Sequence, residues 1–298
     1  MQNPALRADA LMLLTAMIWG SSFVAQQMGM DSIGPFLYSG LRFALAVLVL
    51  LPVVVLLRRR SRQQALVLSR PLLLAGVLMG TVLALGINLQ QVGLLFTSVT
   101  NSGFITGLYV IVVPLLGLFL GHKAGAGIWL GASLAVLGMF LLSVGDGFQV
   151  ASGDWLQLAG AFVWGIHVLV VGAFASRHDA LLLALLQLLT CAVISLLLAL
   201  AFEHIQLAAI SQALPAILYG GIFGVAVGFT LQVVAQKHAI ASHAAIILSL
   251  EAVFAALFGA LLLGESLATK GYIGCALMFG GMLLAQLWRK PPSAIEKP

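Results

Sequence analysis

Arg42 and Glu251 are the formal charges that fall well inside long apolar stretches of this 298-residue chain, and their signs are opposite. An unpaired charge in hydrocarbon is costly, so such residues face a bundle interior or a wet cavity and mark solute or ion pathways. Arg42 lies roughly 10 Å inside its stretch, and the two estimated depths differ by about 6 Å, within reach of a long arginine. The pair can bind a charged solute or hold each other as a structural ion pair. Glu251 can also carry a coupling proton, and Arg42 can snorkel outward.

Neutral polar and aromatic residues fall on helical stripes nearby. Trp19, Ser22 and Gln26 stand at i, i+3 and i+7. Asn101, Ile105 and Tyr109 form a second stripe, and His243, Ile247 and Glu251 a third. Trp164 and His167, together with Asn88 and Gln232, add to the set. A single Asn or Gln is explained by an interhelical hydrogen bond, and a tryptophan near a span end by interfacial anchoring. Trp19 and Trp164, however, sit about halfway along their stretches. Collectively these residues predict a central substrate-binding cavity with aromatic walls. Its lining would be Trp19, Ser22, Gln26, Arg42, Asn88, Asn101, Tyr109, Trp164, His167, Gln232, His243 and Glu251. Aromatics supply apolar and cation–π contacts while amides orient polar ends, which suits a zwitterionic or amphipathic solute. His-Glu-x-x-His, Gly-x-Ser-x-Gly and Walker patterns are missing, so neither an enzyme nor a cofactor is expected. Cys191 and Cys275 lack metal-ligand spacing, and no metal is expected.

The elements that must position these residues are membrane helices. Hydrophobic residues make up 62% of the chain and charged residues 8%, with mean hydropathy +1.13. So few charges cannot cover a water-soluble domain of this size. The apolar stretches are too continuous for barrel strands. They fall at about 8–28, 34–57, 71–91, 97–120, 125–144, 153–174, 180–202, 213–236, 242–264 and 268–288, each about long enough to span a bilayer. The expected fold is an all-α integral membrane protein with ten transmembrane helices. The first stretch lacks a cleavage site and reads as a retained helix.

Basic residues orient the chain. With the N-terminus in the cytoplasm, Arg7, Arg58, Arg59, Arg60, Arg62, Arg70, Lys123, Arg177, Lys237, Arg289, Lys290 and Lys297 lie inside, against Lys270 alone outside. This positive-inside bias places both termini in the cytoplasm. It also accounts for the net charge of +5 without a nucleic-acid partner.

The last five spans echo the first five. Ala16-Met17-Ile18-Trp19-Gly20 recurs as Ala161-Phe162-Val163-Trp164-Gly165, and the same offset aligns Asp9 with Asp154. Pro71, Gly76, Gly80 and Asn88 align with Pro215, Gly220, Gly224 and Gln232, and Gly131, Gly138 and Met139 with Gly274, Gly281 and Met282. Residues 1–145 and 146–298 thus form two five-helix repeats. An odd number of spans predicts that the second is inverted, a common plan of secondary transporters. Glycines spaced by four, as in Gly76/Gly80 and Gly220/Gly224/Gly228, predict close helix packing.

The chain resembles the EamA family, the ten-helix branch of the drug/metabolite transporter superfamily, over essentially its full length. The residues that carry the resemblance are Ile18-Trp19-Gly20-Ser21-Ser22-Phe23, Leu41-Arg42-Phe43-Ala44 and Thr97-Ser98-Val99-Thr100-Asn101-Ser102-Gly103-Phe104-Ile105. In the second half they are Ala161-Phe162-Val163-Trp164-Gly165, Leu250-Glu251-Ala252-Val253-Phe254-Ala255 and Gly264-Glu265. Ala252 stands where similar chains carry proline, which removes the usual cause of a kink. Gly121-His122 stands where a counterpart of Gly264-Glu265 would place a carboxylate. The first helix has no acidic residue between Leu11 and Gln27, unlike related four-helix multidrug transporters. The resemblance implies secondary transport of a small-molecule solute across a bacterial inner membrane, most often export, with amino acids the preferred class; protons are a candidate coupling ion through Glu251. A multidrug exporter and a lipid flippase or scramblase are the alternatives. Monomer and homodimer are both compatible with the sequence.

Overall fold

The computed structural model describes residues 4–60, 68–121, 124–143, 151–265 and 269–288. His122, the Gly145-Asp146-Gly147 linker and the basic residues Arg62, Lys123, Arg289, Lys290 and Lys297 lie outside the described residues.

Among the described residues every regular element is helical. The helices are α1 (Pro4–Met30), α2 (Pro35–Arg60), α3 (Arg70–Leu94), α4 (Val99–Gly107), α5 (Tyr109–Phe119), α6 (Ala126–Ser143), α7 (Ser152–Ala175), α8 (Ala180–Phe202) and α9 (Leu207–Tyr219). A π-helical segment, Gly220–Val227, joins α9 to α10 (Gly228–Gln236). Then come α11 (Ala241–Leu248), α12 (Glu251–Leu263) and α13 (Thr269–Leu287). Eight spans are long and apolar enough to cross a bilayer, with α4–α5, α9–π–α10 and α11–α12 each counting as one. The fifth and tenth stretches give shorter apolar helices, Ala126–Leu141 and Thr269–Ala285. Leu48, Leu200 and Leu261 are 69%, 70% and 68% exposed on the outer surface. Exposed apolar side chains on so many helices make a surface suited to lipid. The protein is a multi-pass membrane protein.

Two spans expected as single helices are broken. The fourth turns at Leu108, where the Leu108 N–H bonds the Ile105 carbonyl and the Ile111 N–H bonds the Leu108 carbonyl. The ninth does the same at Ser249 and Leu250, through bonds from Leu250 to Ile247 and from Ala252 to Ser249. These i→i−3 turns tighten the helix locally. Ala252 therefore does not leave the ninth span straight. The Ser249 hydroxyl donates back to the Ile246 carbonyl at 2.9 Å, a bond that bends helices without proline. The eighth span begins at Leu207, earlier than the 213 expected from the sequence.

Counterpart spans of the two halves pack against each other in antiparallel fashion. Gly103 meets Ala252 and Ala255, and Gly107 the Ser249 carbonyl, so α4 runs against α12. Gly131 lies on the Gly281 carbonyl and Gly138 on that of Gly274, so α6 runs against α13 with backbones nearly touching. In α2 and α8, Gly40 meets Leu196 at one end and Arg58 reaches Asp179 at the other. The α6/α13 pair sits outermost and packs chiefly on α4, α5, α11 and α12. The interior is bounded by α1, α3, α7 and the α9–π–α10 span, braced by α2 and α8 on one side and by α4–α5 and α11–α12 on the other.

Carboxylates hold the helix ends of the α2/α8 pair. Glu203, just past α8, accepts from the Phe36 and Leu37 N–H groups at the start of α2, each at 2.8 Å. Asp179 caps its own helix through the Leu181 and Leu182 N–H groups and accepts from Arg58 Nη2 at 2.8 Å. Partial burial opposes the Asp179 charge, but the Leu182 N–H and the Arg58 guanidinium outweigh it and hold its pKa below the usual 3.8. Its contribution is complete above that value and disappears as the pH falls through the lowered pKa. Asp179→Ala is expected to cost about 1 kcal/mol at pH 7. Thermal melts in detergent should show the gap from wild type closing only below about pH 3.8; a gap that stays constant into acid contradicts the assignment.

Candidate functional site

A cavity of about 30 Å³, room for about one water molecule, lies at the centre of the bundle. Four of its walls follow from stripes. Trp19, Ser22 and Gln26 enter from α1; Ile87 and Gln90 from α3; Thr106 and Tyr109 from the α4–α5 span; Val225, Phe229 and Gln232 from the π segment and α10. Arg42, Trp164, Val168 and Glu251 complete the lining with Phe23 and Gly224. The cavity thus gathers Trp19, Ser22, Gln26, Arg42, Tyr109, Trp164, Gln232 and Glu251 of the residues marked by the sequence. Asn88, Asn101, His167 and His243 lie outside its lining.

Each of those four has a local reason for its place. Asn88 donates to the Ala84 carbonyl at 2.7 Å and to Ser195 Oγ at 2.9 Å, bridging α3 to α8. Asn101 is half-buried in the first turn of α4, its N–H capped by Ser98. His167 stands behind the aromatic wall, edge-on to Trp164 and Phe229, with Nε2 bonded to Gln187 Oε1 at 3.1 Å. His243 Nε2 bonds the Asp9 carboxylate at 2.9 Å and ties α11 to α1. Its counterpart tie uses Asp154, which accepts from Thr97 Oγ1 at 2.7 Å and from the Ala151 N–H at 2.8 Å. Equivalent aspartates of the two halves therefore each hold the start of the other half's broken span.

The aromatic wall is compact. Phe229 lies 4.8 Å from Trp19 and 6.0 Å from Trp164 between ring centroids, stacked on the latter at 13°. Both indole N–H groups are satisfied. Trp19 Nε1 donates to the Gly224 carbonyl at 3.0 Å, and Trp164 Nε1 to Gln90 Oε1 at 2.9 Å. The absence of a side chain at Gly224 admits Ser22, whose hydroxyl would meet any Cβ there.

Gln90 anchors one polar wall. Its amide donates to Gln26 Oε1 at 3.2 Å, and the same oxygen accepts from Arg42 Nη2 at 3.3 Å. Arg42 Nη2 also donates to Gln91 Oε1 at 2.9 Å, while its guanidinium lies 5.0 Å from the Tyr38 ring centre and 5.6 Å from that of Phe43. Sequence reasoning missed Gln90, Thr106 and Phe229. The signal was present, since Leu83, Ile87 and Gln90, like Val225, Phe229 and Gln232, stand at i, i+4 and i+7.

The opposite wall is less saturated. Glu251 is the first residue of α12, where the helix dipole favours a carboxylate. Tyr109, the first residue of α5, lies beside it with its hydroxyl short of hydrogen-bonding geometry to any partner. Both amide atoms of Gln232 are also without a partner. Arg42 and Glu251 form no ion pair, the two salt bridges among the described residues being Arg58–Asp179 and His243–Asp9. Also among the described residues, no three His, Cys, Asp or Glu side chains converge as metal ligands would.

A polytopic helical bundle around a central cavity with polar and aromatic walls defines a membrane transporter. The profile of the EamA-like transporter family matches residues 6–144 and again 151–287, and the chain belongs to that family. An uncharacterized transporter of Archaeoglobus fulgidus is 30% identical over 286 residues, covering 95% of this chain and 86% of its own. A crystal structure with 21% identity superposes with a TM-score of 0.76 over 94% of this chain and 96% of that one, which establishes the fold.

The Trp164–Gln90 bond can be tested by a double-mutant cycle. Gln90→Leu leaves the Trp164 indole N–H unpaired in the interior, at about 1–3 kcal/mol. Combined with Trp164→Phe, which removes that group, Gln90→Leu should cost less than it does alone. Detergent melts giving strictly additive losses would show that the bond contributes nothing.

Proposed function

We propose that the protein exports small amphipathic solutes, amino acids first among them, by alternating access around the central cavity. In this reading ten spans cross a bacterial inner membrane as two oppositely inserted five-helix halves, with both termini in the cytoplasm. The antiparallel packing of counterpart spans supports opposite insertion, and the positive-inside bias supports the orientation. One observation carries the functional claim. The central cavity is lined by the buried Arg42 and Glu251 side chains and an aromatic wall, and it lies between two equivalent ties, Asp9–His243 and Asp154–Thr97. Releasing one tie while keeping the other would open the cavity to one side at a time, as rocking of repeats requires. Protons are the proposed coupling ion, carried at Glu251.

Proteoliposome flux of labelled amino acids, with dyes and fluorescent lipids in parallel, tests this function. Trp19→Ala and Trp164→Ala should lower amino-acid flux roughly tenfold or more, since each removes a large apolar contact. An imposed pH gradient should accelerate wild-type flux and leave Glu251→Gln unresponsive. Flux of lipid alone would replace export by flipping, and wild-type flux indifferent to the gradient would remove protons from the mechanism.

A further inference from the structure

A hydrogen-bonded belt of glutamines closes the cavity at the end nearest the α1–α2 turn. Gln26 lies four residues before the end of α1, Gln91 three before the end of α3, and Gln157 five past the start of α7. Arg42 lies seven past the start of α2, so all four stand within roughly 10 Å of that end. Gln157 Nε2 donates to the Gln90 carbonyl at 2.9 Å, and Gln157 Oε1 accepts from Thr106 Oγ1 at 3.4 Å. The Gln90 amide donates to Gln26 Oε1 at 3.2 Å, and Arg42 Nη2 donates to Gln26 Oε1 at 3.3 Å and to Gln91 Oε1 at 2.9 Å. Gln91 Nε2 ends the series on Met30 Sδ at 2.9 Å. Five helices, α1, α2, α3, α4 and α7, are joined in this way.

The equivalent level of the other half is apolar. At the offset that equates Trp19 with Trp164, Gln26 corresponds to Val171 and Gln157 to Met12. At the offset that equates Asn88 with Gln232, Gln90 and Gln91 correspond to Val234 and Ala235. Met12, Val171 and Ala235 are buried in one hydrophobic cluster. Gln236, next in the chain, bonds a backbone carbonyl, that of Val168, at 3.0 Å. The two closures differ in what opening them requires. Side-chain hydrogen bonds between helices are individually weak and exchange for bonds to water. Parting apolar side chains exposes their surface to water with no bond in return. With room for about one water molecule, the cavity admits nothing larger until one closure gives way.

We propose that the belt of Gln26, Gln90, Gln91 and Gln157 is the outer gate of the cavity, opening as water replaces its internal bonds, and that the cytoplasmic gate is an apolar plug of Met12, Val171 and Ala235. This rests on the alternating-access reading above and on a cytoplasmic N-terminus. It adds a direct link between cavity and gate, because Arg42 and Trp164 line the cavity and also bond Gln26 and Gln90.

Ser22 lines the cavity and is 2% exposed, so a cysteine there reports when either gate opens. Ser22→Cys, in the full chain with Cys191→Ala and Cys275→Ala, can be labelled with a membrane-impermeant methanethiosulfonate in right-side-out and inside-out vesicles. Gln90→Leu removes the bonds to Gln26 and Trp164. It should speed labelling from the outside roughly tenfold and leave the cytoplasmic rate unchanged. Gln26→Glu keeps the acceptor that Gln90 and Arg42 share and adds a charge opposite Arg42. Outside labelling should then fall roughly threefold or more below that of the Ser22→Cys parent. Val171→Thr puts a hydroxyl of similar size into the plug and should speed labelling from the cytoplasmic side alone. A general loosening of the fold would raise both rates together. The proposal is overturned if Gln90→Leu speeds both sides equally, the cytoplasmic side alone or neither, or if Gln26→Glu speeds outside labelling. Labelling needs no solute to move, so the expected pattern in a chain that carries nothing would refute the transport function and keep the two gates.

Discussion

Polar atoms shielded from water must find partners inside the protein, and that requirement organises this bundle. Where partners are found, the polar groups act as ties: Asn88 to Ser195, Asp154 to Thr97, His243 to Asp9 and Trp164 to Gln90. Among the described residues, buried polar atoms without a partner occur in the cavity, at Gln232 and the Tyr109 hydroxyl, and also away from it, at Asn88 Oδ1, His243 Nδ1 and His167 Nδ1.

Close backbone approach makes this distribution possible. Glycine on α6 and α13 lets two short helices lock without an apolar driving force between them. With that outer pair set, the broken spans can bend inward. Tyr109 and Glu251 each follow the turn that interrupts their span, and they arrive side by side in the cavity. The break thus places side chains as well as relieving the helix.

Much of this was legible in the residues. Continuous apolar runs and the Trp-Gly repeat gave the helical class and the duplicated halves, because both depend on local pattern. Eight of the twelve candidate residues line the cavity, and for Trp19, Ser22 and Gln26 the stripe at i, i+3 and i+7 fixes which helix face they occupy. Rotation of that face toward the cavity or a neighbour is a tertiary matter, and there the pattern fails. His243 and Glu251 share a stripe, yet the turn at Ser249 and Leu250 sends Glu251 to the cavity and leaves His243 on Asp9. Gln91 lies near a span end, where polar residues look interfacial, and its bond from Arg42 shows that it faces inward.

The halves share a frame but not a lining. At the offset that equates Trp19 with Trp164, Arg42 corresponds to Gln187 and Ser22 to His167. In the second half that pair bonds to itself behind the aromatic wall, as His167 on Gln187. In the first half it opens onto the cavity as a hydroxyl and a cation. Each aspartate tie has an equivalent at the other end and glycine seams pair the halves, so the frame is symmetric while the lining is not: Arg42 lines the cavity, whereas its counterpart Gln187 bonds His167 behind the aromatic wall.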